Sequence, residues 1–400
     1  MKAAADDVAA PIPNATIRIC ALPMEMIELI AGFLSPIDLS HLRSTCRTLC
    51  AKTMYKFGQT CLSTVHTDLS YLSLQRLYEL SQNVEFRPHV CGLRISALPG
   101  TVLGDGFCWT RASRTGVLEL PHLQPGVRAL RRALHYLPKC TTFIVCIEHH
   151  DNSINRYKPA YLGPSDVITI ILDSVAKTDL SVTSFHIDLK TNRPRGAFLD
   201  SSRLLTECIS KHIFMRNWAS VRTLQLHHSV DSRGVAQWAT QLIQRSHCLN
   251  KLDIDFDLGS KAGIMIRDLS KSKLLAPIRD LRLSSPSSLK GADLLALLRR
   301  FCKCLRTLYL HHVFIRGLAW REIITALKDE FPDLVCVNFF RLGCASFPIV
   351  PFPSLDENLL VKGPQADRFA YRSNQRGFVD SFTPTMQAAL GALLDNGEFF

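Results

Sequence analysis

Residues 221–254 read VRTLQLHHSVDSRGVAQWATQLIQRSHCLNKLDI. Two segments of this stretch share one spacing. Val221 is followed by Leu224 and Leu226, and Leu249 by Leu252 and Ile254, so an apolar residue returns three and then five positions on. The last two members of each trio lie two apart and project to one side of an extended chain. Between the trios, residues 231–246 carry apolar side chains at helical spacing and open on Asp231 and Ser232, residue types that cap helix N-termini. The stretch therefore reads strand, helix, strand.

The same trio returns at Val90/Leu93/Ile95, Cys140/Phe143/Val145, Val182/Phe185/Ile187, Ile278/Leu281/Leu283, Leu305/Leu308/Leu310 and Leu334/Val337/Phe339. Its middle positions are separated by 50, 42, 39, 28, 29, 27 and 29 residues. Helix-like stretches fall between them at 166–178, 201–214, 288–303 and 317–331. An α/β chain of this kind can wind a sheet on both faces, but that fold needs no fixed repeat length and commonly carries a glycine loop for a ligand, absent here. The near-constant later intervals favour stacked repeats, each burying its strand against its own helix and its neighbours. The pattern resembles the leucine-rich-repeat family. That resemblance implies an α/β solenoid with parallel strands over 89–343, although the usual Asn after the strand is mostly missing and the first three intervals are long.

Strand residues that alternate with the apolar ones face the other way, and in such arrays that face is concave and exposed. They are Arg94, Glu148, His186, Asp188, Lys190, Gln225, His227, Asp253, Asp255, Arg282, Tyr309, His311 and Asn338. The substrate-binding expectation falls on His186, Asp188, Gln225, His227, Asp253, Asp255, Arg282, Tyr309, His311 and Asn338, a surface of mixed sign. The pairs His149-His150, His227-His228 and His311-His312 suggest a metal, but the latter two lie three repeats apart, roughly 14 Å at the inter-strand spacing, too far for one ion. Cys302 and Cys304 with His311 and His312 do not match common zinc spacings either. No metal or other cofactor is expected.

Ahead of the repeats, residues 21–54 read ALPMEMIELIAGFLSPIDLSHLRSTCRTLCAKTM. Met26, Ile27, Ile30, Phe33 and Leu34 recur at helical spacing, Pro23 suits a helix start, and Glu25 complements the positive end of its dipole. Ser35-Pro36 ends this helix, and Leu39, Leu42, Cys46 and Leu49 mark further short helices. So small a bundle carries more apolar surface than it can cover. The order Leu22-Pro23-x-Glu25, Ile27, Ile30, Leu34, Asp38-Leu39, Leu42-Arg43, Cys46-Arg47 resembles the F-box family, and residues 61–88 resemble the helical linker of fungal members. The resemblance implies an F-box over 20–60 that binds a Skp-type adaptor through Leu22, Pro23, Ile27, Ile30, Leu34, Leu39 and Leu42. The adaptor in turn joins a cullin-RING ubiquitin ligase of the SCF type, for which this chain recruits a protein substrate.

The remaining chain is expected to hold a disordered start (1–19), an insertion loop (99–120) and an irregular tail (344–400). Prolines interrupt this tail and only 385–394 is helix-like; the tail is placed to cover the last strand edge. Hydrophobic residues make up 47% of the 400, enough for a sizeable core. The 14 cysteines are dispersed without a CxxC pair, which argues for a reducing cytoplasmic or nuclear setting. No apolar run approaches a membrane span. The net charge of +12 suits an acidic partner, but without a basic run a nucleic-acid role is not favoured. The chain has no GxxxxGK[ST], GxSxG, HExxH or helix-opening GxGxxG, so no catalytic role is expected. A non-catalytic scaffold that delivers no substrate fits the same features.

Overall fold

The computed structural model describes residues 19–97, 101–146, 161–189, 199–204, 207–256, 261–272, 276–284, 289–344, 368–372 and 385–396. The chain divides into two units, Met1–Ser63 and Thr64–Phe400.

Among its described residues the first unit holds a 3-10 turn at Ile19–Ala21 and four short α-helices, α1 (Met24–Ala31), α2 (Pro36–Thr45), α3 (Arg47–Lys52) and α4 (Met54–Cys61). Ser35 caps α2, its Oγ accepting the Asp38 N–H, with Pro36 in the first turn where no N–H is needed. Ile27, Ala31, Leu39 and Leu49 form the interior. Arg43 ties the bundle from within, donating to the Cys50 carbonyl at 2.9 Å and lying 4.2 Å from the Phe57 ring centroid.

The second unit is α/β. Its ten-stranded sheet runs β1 (Thr64–Thr67), β2 (Gly92–Ile95), β3 (Thr142–Cys146), β4 (Ser184–Asp188), β5 (Thr223–His227), β6 (Lys251–Asp255), β7 (Asp280–Ser284), β9 (Thr307–His311), β11 (Cys336–Phe340) and β13 (Arg368–Arg372). Every pair from β1 to β11 is parallel, and β13 alone closes antiparallel on β11. Three further short strands, β8 (Leu289–Lys290), β10 (Phe314–Arg316) and β12 (Gly343–Cys344), form a second parallel sheet, one strand after each of β7, β9 and β11.

Helices connect the strands: α5 (Tyr71–Gln82), α6 (Pro125–His135), α7 (Pro164–Lys177), α8 (His212–Trp218), α9 (Arg233–Arg245), α10 (Ala262–Lys271), α11 (Gly291–Arg299) and α12 (Trp320–Glu330), with α13 (Met386–Asn396) packed on α12. Strand order follows chain order from edge to edge, without the reversal that defines a doubly wound sheet. Crossovers between parallel strands are right-handed, so steady progress in one direction lays all the helices on one face.

The register shows why the trio spacing matters. Leu93, Phe143, Phe185, Leu224, Leu252, Leu281, Leu308 and Val337 are paired strand to strand in one unbroken row. Ile95, Val145, Ile187, Leu226, Ile254, Leu283, Leu310 and Phe339 make the next row, and both rows are buried under the helices. The first member of each trio, from Val90 to Leu334, is buried too but sits just ahead of its strand.

Several expectations change. The sheet begins at Thr64 rather than 89, because β1 pairs with β2 and α5 belongs to this unit. Within the tail read as irregular, 368–372 is a strand. The helix expected over 201–214 is replaced by a turn, a 3-10 turn at Cys208–Ser210 and the later helix α8. There Asp200 Oδ1 accepts from both the Ser202 N–H and its hydroxyl, a side-chain turn that competes with helix formation. Helices α6 and α10 were not anticipated. The start 1–18 and the His149-His150 pair lie outside the described residues.

The loop from 101 to 124 is fastened by charge. Arg111 makes a two-pronged contact with Asp166 of α7, Nη1 to Oδ1 at 2.9 Å and Nη2 to Oδ2 at 2.8 Å, and also donates to the carbonyls of Gly116 and Tyr161. Asp166 is buried and accepts the Gly163 N–H as well, so both carboxylate oxygens are satisfied.

Candidate functional site

The face of the sheet away from the helices carries the residues singled out by strand alternation. His186, Gln225, Asp253, Arg282, Tyr309 and Asn338 occupy one row across β4, β5, β6, β7, β9 and β11. Asp188, His227, Asp255 and His311 lie in the row above, with Ser284 between the last two. The structure thus gathers all ten on adjacent rows. Arg94 extends the first row towards β2, whereas Glu148 and Lys190 lie outside the described residues.

Asp253 is the centre of the arrangement and the exception to its solvation, being only 2% exposed. His227 Nε2 is 3.0 Å from Oδ1, Gln225 Nε2 donates to Oδ2 at 3.1 Å, and Arg282 Nη1 is 3.8 Å from the same oxygen. Burial by itself pushes this carboxyl up. Hydrogen bonds from His227 and Gln225, with the charges of His227 and Arg282, outweigh it and hold the group below the usual carboxylate range. The acidic pair read at 253 and 255 is therefore not a free acidic patch, since Asp253 spends its charge on its neighbours.

What faces solvent is the other half of the network. Arg282 lies 4.3 Å from the Tyr309 ring centroid and its side chain stays 42% exposed, an aromatic and a cation presented together. His311 packs edge-on against Tyr309 and Phe340, and burial pushes its pKa down, as it does for His186, whose ring contacts Ser184 Oγ at 2.7 Å. Such a face can bind through hydrogen bonds, charge and stacking. Asp253 and His227 are in contact, with the Gln225 amide donating to the other carboxylate oxygen.

A groove of about 780 Å³ lies between α6 and the C-terminal end of α7, lined by Arg128, Arg131, Arg132, His135, Lys177 and Asp179. Asp179 pairs with Arg216, which leaves the groove basic. Each helix from α6 to α12 carries a basic residue in its last turn, complementing the negative end of its dipole.

In the first unit, the residues read as adaptor contacts separate by depth. Ile27 and Leu39 are interior, Leu22, Ile30, Leu34 and Leu42 are half-buried, and Pro23 is exposed. The open apolar surface is carried by others: Met26 (46% exposed), Leu29 (58%), Phe33 (85%) and Ile37 (69%), with Met24 nearby in sequence. Met26, Leu29 and Phe33 are spaced by three and four, one stripe along α1 and past its end. Helical spacing alone does not separate Met26 and Phe33 from the interior Ile27 of the same helix. Among the described residues no helix is long and apolar enough to cross a membrane. Compared with models of known protein families the chain matches none, and no curated protein is similar to it.

Proposed function

We propose that this chain is the substrate-recognition subunit of an SCF-type cullin-RING ubiquitin ligase, its first unit an F-box that docks a Skp-type adaptor and its second a leucine-rich-repeat-like body that holds a protein substrate. The observation that carries this reading is the stripe Met26, Leu29 and Phe33, with Ile37 of α2 also exposed, large apolar side chains left in solvent by a bundle whose sequence follows the F-box order from Leu22 to Arg47. Contiguous exposed apolar surface on a small domain marks an interaction site. In this reading the chain performs no chemistry itself. It raises the effective concentration of a bound protein beside the ligase's catalytic subunits.

The substrate lies across the polar rows of the sheet. Arg282 stacked on Tyr309 is its anchor, because aromatic and arginine side chains dominate binding energy at protein interfaces. Asp253, His227 and Gln225 act beneath it by fixing the guanidinium's surroundings. The test uses purified components. The full chain binds a Skp-type adaptor, and Phe33→Ala weakens that complex by about 2 kcal/mol, roughly 30-fold, while its thermal unfolding is unchanged. A full chain that does not bind the adaptor at micromolar concentrations overturns the proposal.

A further inference from the structure

Two thiols touch in the four-helix unit. Cys20 Sγ and Cys46 Sγ are 3.6 Å apart although 26 residues separate them in the chain, and both side chains are half-exposed. Their approach is fastened on both sides. Lys52 of α3 donates to the carbonyls of Cys20 at 3.0 Å and Leu22 at 2.6 Å, clipping the segment before α1 onto α3. Cys46 occupies the N-cap of α3, where its sulfur accepts the Leu49 N–H at 3.5 Å. A disulfide bond is about 2.05 Å long, so closing the pair takes roughly 1.5 Å of sulfur movement.

From this geometry we infer that Cys20 and Cys46 form a redox-modification site, oxidised by a hydroperoxide to a disulfide and restored by a thiol reductant. The two sulfurs have distinct roles. The Leu49 N–H and the contact with Cys20 lower the pKa of Cys46, whereas the contact with Cys46 raises that of Cys20, so Cys46 is the sulfur more readily deprotonated and Cys20 the one that keeps its proton longer. The Cys46 thiolate attacks the O–O bond of the peroxide. One oxygen stays on sulfur as a sulfenic acid, and the other leaves as water or an alcohol once protonated. Cys20, giving up its proton, then attacks the Cys46 sulfur, the sulfenic oxygen departs as water and the S–S bond forms. Two thiols are oxidised for each peroxide reduced.

The other cysteines give a contrast. Burial pushes Cys140 and Cys208 up to about 12, which keeps them protonated and unreactive. The closed loop would enclose α1 and α2, and with them the apolar stripe, so oxidation staples the segment that presents Met26, Leu29, Phe33 and Ile37. The inference does not depend on adaptor binding.

The experiment treats the full-length chain with hydrogen peroxide at neutral pH and maps its peptides without reduction. The expected result is one linked pair, Cys20 to Cys46, that dithiothreitol reverses. Cys20→Ser abolishes the link and leaves Cys46 as a trapped sulfenic acid, detected by dimedone; Cys46→Ser, which keeps an N-cap acceptor, abolishes both products. Cys50→Ser leaves the link intact. Unchanged thiols under peroxide, a dominant link between other cysteines, or sulfenic acid forming on Cys20 first would each overturn the inference.

Discussion

At the residue scale, the buried ionisable groups set how the sheet unit responds to acid. His228 is buried, its Nδ1 hydrogen-bonded to the Ser229 carbonyl, and burial lowers its pKa from 6.5 to about 4. The fold accepts only the neutral ring, so the unfolded chain takes up the proton first. Stability is level above pH 6.5 and falls as pH drops from 6.5 through about 4, by about 2 kcal/mol between pH 7 and 5. Urea unfolding at those two pH values measures it, and His228→Gln flattens the difference. Asp253 has the opposite chemistry but the same direction, because its carboxylate is favoured in the fold; its contribution is lost lower, as pH falls below the ordinary 3.8 through the folded value. The buried ion pair Arg111–Asp166 bears on stability through its contacts instead. Arg111→Met leaves the buried Asp166 with only the Gly163 N–H and Arg203 Nη1, 3.6 Å away, and costs about 3 kcal/mol by denaturant titration, with the 101–124 loop the first to become protease-sensitive. Which residues share the open face was legible from alternation alone. That Asp253 is sealed was not, since its cover comes from side chains on two neighbouring strands, Gln225 and Arg282, and from His227 one row above.

Elements were legible in proportion to their apolar content. Eight strands announced themselves because each supplies two aliphatic or aromatic residues, two apart, to a core already shared by its neighbours. Strand β1 gave no such signal: it contributes a half-buried Val65, and its buried Thr67 is held by polar bonds, to the Ser73 hydroxyl at 2.7 Å and the Leu69 N–H at 3.1 Å. Strand β13 buries Phe369 on an edge and hides among prolines. In the four-helix unit, periodicity told which residues are apolar but not which are inward, because α1 is apolar on more than one side: Ile27 points in and Leu29 out. The division predicts a clean separation of effects. Ile27→Ala and Leu39→Ala lower the bundle's stability by about 2–5 kcal/mol each, as large-to-small changes in a core do. Leu29→Ala and Ile37→Ala, at exposed positions, change unfolding by less than about 0.5 kcal/mol; under the proposed function they reduce adaptor affinity instead. Calorimetry of each variant, alone and titrated with adaptor, distinguishes the two groups.

For the whole molecule, the ends of the sheet matter most. Strand β13 pairs along the full length of β11, and α13 buries Met386, Leu390 and Leu393 beside α12. A chain cut after residue 344 bares both a strand edge and an apolar helix face, and is expected to self-associate in light scattering at concentrations where the full chain does not. Between the ends, every unit meets its neighbours through the same row of paired residues. Deleting one complete unit, from Leu252 to Asp280, would bring Leu281 opposite Leu224 with every side chain still on its proper face. Strand number is then a free parameter: each unit added or removed lengthens or shortens the open face by about 4.8 Å without re-solving the core. The reach of this surface is a ruler whose divisions can be counted in genes as insertions or losses of some 28 or 29 codons, the spacing between Leu224, Leu252 and Leu281.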